Sequence, residues 1–194
     1  MVVALVGSKA DLLLKTKTFQ DAVLLQDTPS PAEVQASKII HLISFGHSRL
    51  IPFSTLEAIS GLAVNVHISF LPWNRGSDPN FWSWLENTPK GVSVHLMDAT
   101  IDTGPVLVQD EVLFSTNETL RSSYNKLTER GVHLISSNWR DFMNNGVEGR
   151  AQPDFGSHHK RGDIEKYRFL LRDSWDTSCN AIRDWGFENG LHLQ

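Results

Sequence analysis

A chain of 194 residues with 40% apolar content can bury one sizeable core, so it reads as one domain with at most a small appendage. Its 18 basic and 22 acidic residues leave a net charge of −4, which excludes a global pull toward nucleic acid or anionic membrane. Cys179 stands alone, so no internal disulfide framework exists. No run is long enough to span a bilayer and no secretory core follows the Met1–Leu14 stretch, so a reducing cytoplasm is the expected setting.

Val2-Val3-Ala4-Leu5-Val6 followed by Gly7-Ser8 reads as a buried first strand and a turn. Gly7-Ser8-Lys9 lacks the glycine spacing of a phosphate loop. A short helix over 10–17 and a second strand over 22–26 follow. Ser30-Pro31 is set to start a helix over 32–37. Residues 39–44 read as a strand and Phe45 to Pro52 as the loop after it. Thr55 to Gly61 reads as a helix closed by its glycine.

Residues 64–69 alternate apolar and polar with period two, which places Asn65, His67 and Ser69 on one strand face. Leu71-Pro72 ends the ladder. Asp78-Pro79 reads as N-cap and first helical residue of a helix to Glu86, whose Phe81, Trp82, Trp84 and Leu85 supply apolar surface. Strands over 91–97 and 105–114 flank the turn Asp102-Thr103-Gly104-Pro105 and, being so closely linked, should include an antiparallel pair.

Asn117 to Phe142 reads as a long packing helix capped by Thr116 or Asn117 and stopped at Asn144-Asn145-Gly146. A helix over 164–172 is expected in the tail, where Trp175, Ile182, Trp185 and Phe187 can dock back on the core. The strands and helices alternate up to Pro89, which predicts an α/β three-layer sandwich with a mainly parallel, Rossmann-like sheet. The expected division is a catalytic domain over 1–150 and a packing tail over 151–194.

Ligands of open α/β sheets bind at the carboxyl ends of the strands. A lone histidine on a strand is more often a satisfied structural group. Here an amide, an imidazole and a carboxylate occur together, a kit suited to acyl transfer. The adjacent His158-His159 invites a metal reading, but sequence neighbours rarely point at one ion and no Cys/His set has zinc spacing, so no metal is expected.

Asn65 to Pro72, Gly76 and Asp102-Thr103-Gly104-Pro105 together resemble the signature of the folate-dependent formyltransferases. The likeness covers roughly residues 38 to 114. The loop from Trp73 to Trp84 is similar to the sugar-nucleotide N-formyltransferase branch, which is related to methionyl-tRNA and glycinamide ribonucleotide formyltransferases. The resemblance implies Asn65, His67 and Asp102 as the catalytic trio and 10-formyltetrahydrofolate as formyl donor. Asn65 would donate to the oxyanion with His67, and Asp102 would orient His67. The folate would be held by Arg49, Leu50, Ile51, Met97 and Asp98. Trp73, Asn74, Arg75 and Asn80 would bind a small acceptor amine, most simply a nucleotide-linked amino sugar, with help from 158–161. A homodimer is compatible with the reading.

The region before Phe45 reads as about one βα unit shorter than in most such enzymes, and the stretch after the catalytic part is expected to be too short for the β-barrel domain of tRNA-formylating relatives. Two alternatives remain: a formyltetrahydrofolate hydrolase using the same trio, and a degenerate folate-binding or regulatory protein.

Overall fold

The computed structural model describes residues 2–144 and 147–193. The turn expected at Asn144-Asn145-Gly146 lies outside the described residues. The strands are β1 (Val2–Val6), β2 (Val23–Leu25), β3 (Ile39–Phe45), β4 (Ala63–His67), β5 (Arg75–Gly76), β6 (Gly91–Leu96), β7 (Val106–Glu111) and β8 (His158–His159). The α-helices are α1 (Asp11–Leu14), α2 (Pro31–Ala36), α3 (Phe53–Ala58), α4 (Pro79–Leu85), α5 (Leu120–Asn144) and α6 (Cys179–Glu188).

Among the described residues, six strands form one sheet in the order β2-β1-β3-β4-β6-β7. β1 pairs in parallel with β2 and β3, and β3 pairs in parallel with β4. Met97, just past the end of β6, donates its N–H to Ala63 O at the start of β4, 2.9 Å away, so these two strands run antiparallel. Leu96 N bonds Pro105 O at 2.9 Å, and β7 turns back along β6. The sheet is therefore parallel through β4 and closes with the expected antiparallel pair.

The chain forms two compact units. The first comprises Met1–His67, Val94–Val108 and Gly131–Gln152. Its core packs Ala4, Val6, Val34, Ile39, Leu42, Ile51 and Ile59 together. α2 starts where the sequence says it should. Ser30 Oγ accepts from Glu33 N at 3.3 Å, and Glu33 Oε2 accepts from Ser30 N at 2.7 Å, with Pro31 leading the helix. α3 is tied down by Thr55 Oγ1, which donates to Pro29 O at 2.9 Å.

The second unit comprises Ile68–Ser93, Gln109–Arg130 and Pro153–Gln194. Phe81, Trp82, Trp84, Leu85, Leu120, Cys179 and Ile182 form its core. α6 lies so close to α4 that a Cβ on Gly186 would stand 2.0 Å from Leu85 O. In the parallel β5–β8 pair, Gly76 takes φ +89° and a Cβ there would meet His159 O at 2.2 Å. Burial raises the Cys179 thiol to about 11, which fits an inert core residue.

Several elements differ from expectation. Asp78 adopts a left-handed conformation, φ 54°, and its side chain makes no cap bond, so the start of α4 rests on Pro79. The α5 cap bond comes from Thr119 Oγ1, which accepts from Ser122 N at 3.1 Å, rather than from Thr116 or Asn117. The expected helix over 164–172 is a 3-10 helix at Asp163–Leu170, and the true tail helix is α6.

Candidate active site

β4 carries Asn65 and His67, and the buried Val64 and Val66 alternate with them, as a period-two strand requires. β6, its antiparallel neighbour, brings His95 opposite Asn65. The turn after β6 delivers Asp102 in a left-handed conformation, φ 56°, which aspartate tolerates better than most residues. Two features shape that turn. A Cβ on Gly104 would stand 1.9 Å from Leu96 O, so only glycine fits. Gln152 Nε2 donates to Asp102 O and Gly104 O, both at 2.8 Å, and so ties the backbone of the turn to the segment after α5.

The Asp102 carboxylate collects three groups. Asn65 Nδ2 donates to Oδ1 at 3.1 Å. His95 Nε2 lies 3.4 Å from Oδ1 and His67 Nδ1 lies 3.6 Å from Oδ2. All three partners are in the first unit, and the carboxylate and both rings are nearly buried. A carboxylate held among two imidazoles and an amide can orient one ring, accept a proton and return it. The long imidazole distances match catalytic hydrogen bonds that tighten around a reactant. The structure thus brings Asn65, His67 and Asp102 together.

Sequence reasoning missed His95. It is 2% exposed, and its Nδ1 lies 2.8 Å from Leu96 O while its Nε2 lies 3.2 Å from Asn65 Nδ2. The available signal was its position two residues after Ser93 in an alternating strand. Ser69, by contrast, falls beyond the end of β4. Its Oγ donates to Trp73 O, and its carbonyl accepts from Ser93 Oγ at 2.8 Å, so it shapes a turn.

A cleft of about 630 Å³ lies on the loops after β1 and β3 and along β2 and the residues that follow it. Residues 7–8, 24–27 and 46–49 line it. Gly7 and Gly46, both at positive φ, bring two backbones close, while Leu24 and Leu25 provide an apolar wall. Arg49 Nη1 donates to both Asp27 oxygens, at 3.0 and 2.7 Å. The Asp27 carboxyl is held below its usual range by the Thr28 backbone N–H and by Arg49. Burial lowers the His47 ring, whose Nε2 pairs with Thr28 Oγ1 at 2.8 Å.

The other residues expected to hold a cofactor have different places. Ile51 is 4% exposed and belongs to the first unit's core, against which the partly buried Met97 packs. The Asp98 carboxylate accepts from Thr100 N at 2.9 Å and from Thr103 Oγ1 at 3.0 Å, which commits it to the turn. Leu50 is exposed.

In the second unit, two of the four residues expected to bind an acceptor are corrected outright. Asn74 is 0% exposed. Its Nδ2 donates to Glu86 Oε2 at 3.1 Å, its Oδ1 accepts from Thr88 Oγ1 at 2.8 Å, and its N donates to Ser157 Oγ at 2.9 Å. Asn80 is also buried. Its amide donates to Leu120 O and accepts from Ser123 Oγ, both at 2.9 Å. Trp73 is partly exposed beside Phe155, and Arg75 is partly exposed near Pro153 O. His159 of the tail stacks on Trp82 at 3.9 Å with its Nε2 3.1 Å from Glu86.

A carboxylate shared by two imidazoles and an amide, set beside the carboxyl ends of a parallel sheet, defines an acyl-transfer class of site. The family model described as formyl transferase matches residues 9–138, about two-thirds of the chain, and the chain belongs to that family. The formyltransferase PseJ from Anoxybacillus kamchatkensis, solved in complex with UDP-4,6-dideoxy-4-formamido-L-AltNAc and tetrahydrofolate, is similar over 94% of this chain and 97% of its own, at 36% identity and TM-score 0.85. An N-formyltransferase from Helicobacter canadensis shares the fold, with TM-score 0.68 over 97% of this chain and 81% of its own at 21% identity. Methionyl-tRNA formyltransferase from Myxococcus xanthus is 35% identical over 108 residues, 55% of this chain and 33% of that protein. The chain thus spans about a third of the length of the curated relatives it matches. Among the described residues, no helix is long and apolar enough to cross a membrane.

Proposed function

We propose that the chain transfers a formyl group from 10-formyltetrahydrofolate to the amine of a nucleotide-linked amino sugar. The observation that carries this reading is the Asp102 carboxylate within reach of His67, His95 and Asn65. Likeness to PseJ along nearly the whole of both chains favours a UDP-linked amino sugar over methionyl-tRNA, for which the match covers a third of the relative.

When bound, the folate supplies an electrophilic formyl carbon, and the cleft lined by residues 7–8, 24–27 and 46–49 would hold it, with Arg49 turning from Asp27 to the anionic tail. His67 in its charged form has an N–H on both ring nitrogens. Asp102 holds the Nδ1–H, and the Nε2–H stabilises the negative charge that develops on the formyl oxygen as the amine attacks. Asp102 accepts the proton that the new C–N bond makes acidic. His67 gives its Nε2 proton to the departing nitrogen as the old C–N bond breaks. Asp102 then releases the proton it accepted to solvent, His67 Nε2 takes one back from solvent, and the site is reset.

The test is incubation with 10-formyltetrahydrofolate and each of three acceptors: a UDP-linked 4-amino sugar, methionyl-tRNA, or water alone. Mass gain of one formyl group on the sugar is the expected result. Formylated tRNA would move the acceptor class, and formate release without an acceptor would make the chain a hydrolase.

A further inference from the structure

We propose that His95 is a positioning residue that sets which end of the Asn65 amide faces the reactants. The proposal rests on the formyl-transfer reading for its consequence, and on geometry alone for its cause. His95 Nδ1 lies 2.8 Å from Leu96 O. A carbonyl oxygen only accepts, so Nδ1 carries the hydrogen. In the neutral ring Nε2 is then a bare acceptor, and it faces Asn65 Nδ2 at 3.2 Å. Asp102 Oδ1, a second acceptor, lies 3.1 Å from the same nitrogen. Turning the amide over would set its oxygen against a ring lone pair and an anionic oxygen at once. That arrangement points the NH₂ group inward.

The consequence alters the role of Asn65. Its two hydrogens are directed at His95 and Asp102, and its Oδ1 accepts no hydrogen bond among the described residues. The end left for a reactant is an acceptor. An acceptor does not stabilise an oxyanion, but it does hold the N–H of an attacking amine, and that N–H becomes a stronger donor as the C–N bond forms. Asn65 therefore aims the amine, and the oxyanion falls to His67. His95, 2% exposed and bonded to its own strand, is the fixed post that maintains this division.

The experiment pairs kinetics with nitrogen NMR. In the wild-type protein, a through-hydrogen-bond coupling should link Asn65 Nδ2 to His95 Nε2, and His95 Nδ1 should be the protonated ring nitrogen. With a UDP-linked 4-amino sugar and 10-formyltetrahydrofolate, His95→Leu should lower kcat on the order of 10²-fold, as expected for a misplaced reacting group, with both KM values nearly unchanged. His95→Gln, which restores an acceptor near the Nε2 position, should recover most of that loss. If the Leu variant does not fold, His95→Asn takes its place, since it withdraws the Nε2 acceptor while keeping a polar group near Nδ1. Absence of the coupling, a wild-type kcat in the variant that lacks the acceptor, or a loss that Gln does not repair overturns the proposal. Wild-type inactivity toward all acceptors would refute the formyl-transfer reading, and the coupling would still decide the orientation of the amide.

Discussion

Asn65 and Asn74 are the same residue type in polar loops and strands a few residues apart, and the structure uses them in opposite ways. Asn65 turns one end of its amide into the Asp102 cluster and leaves the other without a protein partner among the described residues. Asn74 is fully buried and has both ends engaged, with Glu86 and Ser157 on one and Thr88 on the other. A polar side chain is available for chemistry only when the fold stops short of satisfying it. The first unit does this at Asn65, and the second unit does not at Asn74 or Asn80.

The largest effect should come from the Asp102 cluster. His67→Ala should lower formyl transfer by about 10²–10³-fold or more, the usual cost of losing one oxyanion donor, while the thermal midpoint stays near that of the wild type. A variant that kept normal turnover would remove His67 from the mechanism. The saturated asparagine should behave in the reverse manner. Asn74→Ala leaves the buried Thr88 hydroxyl and Glu86 carboxylate short of partners, so urea unfolding should show a loss of about 1–3 kcal/mol. Wild-type stability with a raised acceptor KM would instead make Asn74 a ligand.

A third prediction concerns His41 in the first unit. Leu62 N donates to its Nδ1 at 2.8 Å, which requires that nitrogen to be unprotonated, and the ring meets Trp139 edge-on. Burial lowers its pKa from 6.5. The folded state therefore binds fewer protons than the unfolded chain below pH 6.5. Stability should be complete above that value and fall as pH drops through it toward the lowered folded pKa. Thermal midpoints from pH 5 to 8 should show this slope, and His41→Phe should flatten it. The smallest effect is expected at Arg75, which the structure leaves partly exposed. We propose that it contacts the acceptor, so Arg75→Ala should raise the acceptor KM several-fold with kcat unchanged. A change confined to the folate KM would assign it to the other substrate.

Much of the first unit was legible in the sequence because its signals are local. Period-two alternation marked β4, Ser30-Pro31 marked the start of α2, and Asp102-Thr103-Gly104-Pro105 marked the turn that presents the carboxylate. His95 was not legible as a site residue, because its role depends on β6 lying antiparallel beside β4. Nothing in either strand states that pairing. Asn74 was misread for a similar reason. What buries it includes Ser157, far along the chain, whose hydroxyl meets both its N–H and its amide. Ile51 shows the same limit: its loop position suggested contact with a ligand, but long-range packing placed its side chain in a core. α6 was missed because Ile182 and Trp185 were read as docking groups without regard to the helical spacing they share with Cys179 and Gly186.

The central claim, that the Asp102 cluster performs formyl transfer, is tested most directly by Asp102→Asn in the presence of bound folate. Tetrahydrofolate affinity is measured first by calorimetry. The variant is then mixed with 10-formyltetrahydrofolate and a UDP-linked 4-amino sugar and followed by mass spectrometry. The account predicts folate binding close to that of the wild type and almost no formylated sugar on the wild-type time scale. Formylation at the wild-type rate would contradict it.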